Sequence, residues 1–130
     1  MAKDLETSSN VVKVSDVVDV DVKNNKGENL GTIKEIILDK TTGNIRYIVL
    51  SFGGFWGLGD KYFALPWNSI SYDEDKESFV LNIEKEKLDK APGFDKNQWP
   101  DISDRRWEES IYSYYGYKPY WEDQNNRACK

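Results

Sequence analysis

Between Asp19 and Ile83 apolar and polar residues alternate in short runs, punctuated by glycine, asparagine and clustered charge. Val20 and Val22 alternate with Asp19, Asp21 and Lys23, and Asn24-Asn25-Lys26-Gly27 then supplies residues that tolerate a hairpin turn. Leu30 to Asp39 predicts a second strand, with Ile36 and Leu38 on one face and Ile33 and Ile37 on the other; Gly31 within it predicts a bulge or a close backbone approach. Lys40 to Asn44 reads as a turn. Ile45 to Phe52 is nearly continuous in apolar residues, as expected of a strand buried on both faces. Lys61 to Leu65, Ser69 to Tyr72 and Phe79 to Ile83 follow, the last two joined by the charged turn Asp73 to Glu77. About five to six short antiparallel strands at this spacing predict an all-β fold, a small barrel or sandwich. Strands this short need closure or covered edges.

The flanks read differently. Residues 1–10 are polar and patternless, a disordered lead-in; Val11 to Val14 extends a strand, and Ser15-Asp16 caps a short turn through Val17 and Val18. Beyond Ile83, Glu84 to Lys90 predicts a helical turn or two around Leu88, stopped by Ala91-Pro92-Gly93. A coil is expected to about Ile102. Ser103 or Asp104 then caps a helix near 104–115 whose one face carries Trp107, Ile111, Tyr114 and Tyr115, and Gly116 ends it as a left-handed residue. The chain thus divides into a β domain over 11–92, an aromatic extension over 93–123 and a disordered tail over 124–130.

Composition removes several function classes. The 130 residues suit one domain, and the net charge of −5, with 18 basic residues scattered among 23 acids, disfavours nucleic acid. Histidine is absent, which removes the commonest general base and every histidine-ligated metal site. The one cysteine, Cys129, offers no disulfide framework. The acidic start lacks a secretory leader and no run is long and apolar enough to span a membrane, so a cytoplasmic protein without membrane insertion is expected. No catalytic residue, cofactor or metal ligand is assigned.

Two motifs fail on inspection. The glycines of Gly53-Gly54-Phe55-Trp56-Gly57-Leu58-Gly59 suggest a phosphate loop, but Asp60-Lys61-Tyr62 stands where Lys-Ser/Thr is needed and a strand follows instead of a helix. A structural turn is the expectation, with Phe55, Trp56 and Leu58 as possible contacts. Asp73-x-Asp75-x-Glu77, with Glu84 in the twelfth place, echoes a calcium loop, yet its sixth position is Ser78 instead of glycine. A charged hairpin turn is expected there.

The aromatic extension is the serious candidate. Nine of the 18 aromatic residues lie between Phe94 and Trp121, with hardly any aliphatic neighbours. Two readings stay open: the segment covers the core, or it presents a partner or self-association surface, since Trp and Tyr dominate interface hot spots. The candidate surface comprises Phe55, Trp56, Leu58, Trp107, Tyr114, Tyr117, Tyr120 and Trp121.

Leu30-Gly31-Thr32-Ile33-Lys34-Glu35-Ile36-Ile37-Leu38-Asp39, Thr42-Gly43, Tyr47-Ile48-Val49-Leu50-Ser51-Phe52-Gly53-Gly54 and Phe63-Ala64-Leu65-Pro66-Trp67, in this order, resemble a PRC-barrel domain. The resemblance covers about Val14 to Ile83 and continues through Ala91-Pro92-Gly93-Phe94, Trp99-Pro100-Asp101 and Tyr114-Tyr115-Gly116 to Pro119-Tyr120-Trp121, as in stand-alone bacterial members. It implies an all-β, SH3-like barrel related in fold to the cytoplasmic domain of the photosynthetic reaction-centre H subunit, with no catalytic residues to carry over and use as an adaptor or assembly module. The expectation is a non-catalytic binding module that pairs with itself as a homodimer and with an unidentified protein. The alternatives are a ribosome or RNA-processing factor and an accessory subunit of photosynthetic or electron-transfer machinery.

Overall fold

The computed structural model of the chain describes residues 11–52 and 61–118. In order it contains α1 (Val14–Val17), β1 (Asp21–Lys23), β2 (Asn29–Leu38), β3 (Ile45–Phe52), β4 (Lys61–Leu65), a 3₁₀ turn (Trp67–Ser69), β5 (Ile70–Asp73), β6 (Ser78–Leu81), α2 (Lys85–Asp89), β7 (Gly93–Asp95) and α3 (Arg105–Tyr115). The strands form one seven-stranded mixed sheet in the order β5-β6-β1-β2-β3-β4-β7.

The β-rich reading holds, and three details differ from it. First, β1 and β6 run parallel, pairing Val22 with Phe79 and Lys23 with Val80. Alternation reports which face a residue occupies and is blind to strand direction, so an all-antiparallel sheet could not be distinguished from this one. Second, the expected coil after Pro92 opens with β7, which pairs Gly93 with Phe63, Tyr62 with Phe94 and Lys61 with Asp95. A Cβ on Gly93 would stand 2.8 Å from the Phe63 ring and 2.9 Å from the Tyr62 carbonyl, so glycine is what lets this edge close on β4. Third, Val11 to Val14 extends no strand: Val11 and Val12 are exposed and Val14 opens the single turn of α1, which buries Val17.

Turns follow their side chains. Asp39 accepts the amides of Thr41 (2.9 Å) and Thr42 (3.2 Å), and Gly43 at φ 81° completes the β2–β3 turn. Asp73 accepts those of Asp75 (3.0 Å) and Lys76 (3.2 Å), so the calcium-like acidic run is a hairpin turn that enters β6 at Ser78. Asn24 is buried; its amide donates to Glu28 (2.7 Å) and to the Ile83 carbonyl (3.3 Å) while its oxygen accepts the Lys26 and Glu28 amides, both at 3.0 Å. One turn residue therefore ties the β1–β2 hairpin to the end of β6.

The core has two parts, one on each side of β3. Ile48 and Leu50 join Val17, Val20, Val22, Leu30, Ile33, Phe63, Leu65, Phe79, Leu81 and Leu88 in the larger cluster. Tyr47 and Val49 point the other way, to Ala64 and Ile111. This is the two-faced burial that the apolar run Ile45 to Phe52 predicts. In β2 the register slips between Ile33 and Glu35 and again between Ile37 and Leu38. The first slip flips the alternation, so Ile36 joins Ile33 on the larger cluster, Ile37 reaches the smaller one and Leu38 is left exposed. Gly31 meets its close approach: with φ 131°, a Cβ there would lie 2.0 Å from the Ser51 carbonyl oxygen.

Candidate functional site

The smaller cluster is roofed by the aromatic extension. Asp104 caps α3 by accepting the Arg106 amide at 2.9 Å, and Gly116 closes it at φ 81°. Its buried stripe is Glu108, Ile111 and Tyr112, with Trp107, Tyr114 and Tyr115 partly buried on the flanks. Trp107 meets Tyr47 edge-on at 5.4 Å between ring centroids and Phe94 at 6.0 Å, and Trp99 packs on Phe94 (5.0 Å) and Tyr62 (5.8 Å). Such edge-to-face contacts add about 0.5–1.5 kcal/mol each beyond the area they bury.

Polar contacts fix the docking. Arg46 on β3 grips the Glu108 carboxylate with two nitrogens, one at 3.0 Å, and Tyr112 donates its hydroxyl to the Arg46 carbonyl. The Tyr47 hydroxyl donates to the Ile102 carbonyl (3.0 Å) and that of Tyr114 to the Lys87 carbonyl (2.8 Å), with the Lys87 ammonium 5.7 Å from the Tyr114 ring centroid. Glu108 has no exposed surface, and its burial pushes the carboxyl above the usual carboxylate range against the pull of Arg46 and Arg105. Burial likewise raises the Tyr47 and Tyr115 hydroxyls, which stay protonated.

Of the residues proposed from sequence as a contact surface, Trp107 lies in the smaller cluster, Tyr114 is half-buried against α2, and Tyr117 is 40% exposed. Phe55, Trp56, Leu58, Tyr120 and Trp121 fall outside the described residues. Trp99 and Ile102, each 38% exposed, are outward-facing members of the extension that sequence reasoning passed over as coil. Glu108 and Tyr112 carry no such signal in the sequence, the first because a lone acid on a helix reads as a surface charge.

A small cavity of about 60 Å³ lies where the end of β6, α2 and the end of α3 meet. It is far below the ~300–1,000 Å³ of a typical small-molecule site. Among the described residues no group of three or more His, Cys, Asp or Glu is placed to hold a metal, and no helix is long and apolar enough to cross a membrane.

The model of the PRC-barrel domain matches residues 9–88. The chain belongs to the PRC-barrel domain family. The match takes in β1 to β6 and ends within α2, so β7 and α3 are additions to the PRC-barrel domain that cover one face of its β2-β3-β4 meander. No curated protein matches the sequence.

Proposed function

We propose that this PRC-barrel chain is a non-catalytic assembly module that binds protein, including a second copy of itself, through its aromatic C-terminal segment and residues 53–60. The observation that carries the reading is the set of large side chains that the docking of α3 leaves uncovered on the extension: Trp99 and Ile102 are each 38% exposed and Tyr117 is 40% exposed. Partly exposed Trp and Tyr on a fixed scaffold are the side chains that supply hot spots at low entropic cost.

The non-catalytic part is supported by how the reactive groups are used. The chain has no histidine, and the fully buried carboxylate of Glu108 is committed to Arg46. Among the described residues, no acid lines the cavity beside α2. Sedimentation equilibrium at micromolar concentrations tests the reading: a mass twice the 15.1 kDa of the chain is expected, shifting toward one chain when Trp99 and Tyr117 are both replaced by alanine. A single-chain mass at every concentration removes self-association from it.

A further inference from the structure

Helix α3 is held on the sheet by contacts that bridge long stretches of chain. The Glu108 carboxylate meets the Arg46 guanidinium, the Tyr112 hydroxyl meets the Arg46 carbonyl, Trp107 packs on Tyr47, and Ile111 joins Val49 and Ala64. None of these contacts depends on the path of the chain between them. The same helix supplied by a second copy satisfies the same groups.

The chain enters α3 through residues 96–104, which are exposed apart from half-buried Pro100. Several of their hydrogen bonds are local: the Gln98 amide donates to the Asp95 carbonyl, the Trp99 indole to the Lys96 carbonyl and the Asp104 amide to the Asp101 carbonyl, each at 3.0 Å. Two anchors tie the segment to the sheet at different strands. Trp99 packs on Phe94 of β7 and Tyr62 of β4, while the Ile102 carbonyl accepts the Tyr47 hydroxyl of β3. Pro100 and Asp101 lie between the anchors, and the Asp101 carboxylate accepts the Ser103 hydroxyl (2.7 Å) on the helix side. Rotation there redirects α3 and leaves Trp99 on its own β7. The side chains that bracket this hinge, Trp99 and Ile102, are among the exposed large apolar residues of the chain. In a two-fold exchange the hinges of two copies pass each other, so each Trp99 and Ile102 meets those of the other copy. The α3 contacts are the same in both forms, and this added contact at the hinge is what opposes the cost of association.

We propose that the chain pairs with itself by exchanging α3, each copy laying its helix on the β2-β3-β4 face of the other with Pro100-Asp101 as the hinge. The inference rests on the self-association reading above and adds to it which residues cross between copies: Glu108 of one chain meets Arg46 of the other, and Trp107 meets Tyr47. Trp99 then acts at the two-fold axis, where the hinges meet.

The test uses the full chain. Equal amounts of ¹³C-labelled and unlabelled protein are unfolded together in urea and refolded, and an isotope-filtered NOE experiment then detects contacts between chains alone. Contacts between the Trp107 ring of one chain and the Tyr47 ring of the other are expected. A second measurement lengthens the hinge by inserting Gly-Ser-Gly between Pro100 and Asp101, in the exposed segment. A longer hinge lets α3 return to its own sheet, so this variant should keep the Trp107–Tyr47 contact within one chain and dimerise about tenfold or more weakly. A pair whose interchain contacts involve Trp99 and Tyr117 but not Trp107 with Tyr47 would overturn the exchange and leave surface self-association standing. Unchanged dimerisation of the lengthened chain would also overturn the exchange. A single-chain mass at every concentration would remove it together with the reading it rests on.

Discussion

The guanidinium of Arg46 holds the carboxylate of Glu108 across 62 positions of sequence, one nitrogen at 3.0 Å, and the Glu108 side chain has no exposure to solvent. Tyr112, one turn further along α3, donates to the carbonyl of the same arginine. Arg46 is thereby held at its head and its backbone by a single helix. Apolar packing of Ile111 and Trp107 could tolerate a small slide or rotation of α3; a two-nitrogen grip on one carboxylate does not. The pair specifies where the helix sits more than it adds net stability.

Removing one partner should therefore cost far more than removing both. Arg46→Met leaves a buried carboxylate without its cation and should destabilise the chain by about 3–5 kcal/mol, whereas Arg46→Met with Glu108→Leu should recover most of that loss. Urea midpoints of the two variants decide it. A double variant no better than the single would mean that the pair contributes through more than charge.

The pH dependence of Glu108 should run opposite to that of an ordinary salt-bridged acid. Burial raises its carboxyl above the usual 4.5, so the folded chain holds this proton more tightly than the unfolded one. The stabilisation that results is complete below about pH 4.5 and is lost as pH rises through the raised folded value. Relative to Glu108→Gln, the wild type should lose stability from pH 4.5 upward, measured as the difference in urea midpoints. Exposed Asp101 titrates in the opposite sense: the Ser103 hydroxyl and amide hold it below the usual 3.8, so its contribution is present above that value and fades in stronger acid. A wild type that gains on Glu108→Gln as pH rises would show that Arg46 outweighs burial.

Gly31→Ala should be among the most damaging single changes in the chain. The backbone there has φ 131°, and the added carbon would lie 2.0 Å from the Ser51 oxygen, a backbone atom in the middle of the sheet that cannot swing aside. A loss of about 3 kcal/mol or more is expected by thermal or urea unfolding. Gly27→Ala, also at positive φ (81°) but with nothing within 4 Å, should cost only a fraction of that.

Much of the β architecture was legible because alternation and turn chemistry are local. Ile45 to Phe52 announced a strand with two buried faces, and Lys40-Thr41-Thr42-Gly43-Asn44 announced its turn. What local pattern lacks is direction and distant pairing. The parallel contact of Val22 with Phe79 leaves no mark on either run, and the register slip near Lys34 moved Ile36 to the face opposite the one its spacing implied. The candidate site was half legible for the same reason. Trp107 and Ile111 declared an apolar helix face, but that face is centred on Glu108, whose role depends on an arginine 62 residues away.

Asn24 offers a check on the other end of the fold. It links the β1–β2 turn to Ile83 through a buried side chain, so Asn24→Ala should leave the Ile83 carbonyl and the turn amides short of partners. A loss of about 2–3 kcal/mol is expected in urea unfolding, with Asn24→Asp no full rescue, because the donated amide protons are gone.

The most direct measurement compares urea unfolding of the intact chain with that of a chain ending at Pro92, followed by far-ultraviolet circular dichroism and tryptophan fluorescence. The account holds that β7 and α3 complete the core by covering Tyr47, Val49 and Ala64, and that only the side chains left outside them are free for contacts. It predicts one coincident transition for the intact chain and, for the shortened one, loss of several kcal/mol or of cooperative unfolding altogether, at about 1.5–3 kcal/mol per large apolar side chain uncovered. A shortened chain that unfolds cooperatively at the same urea concentration as the intact one would contradict it.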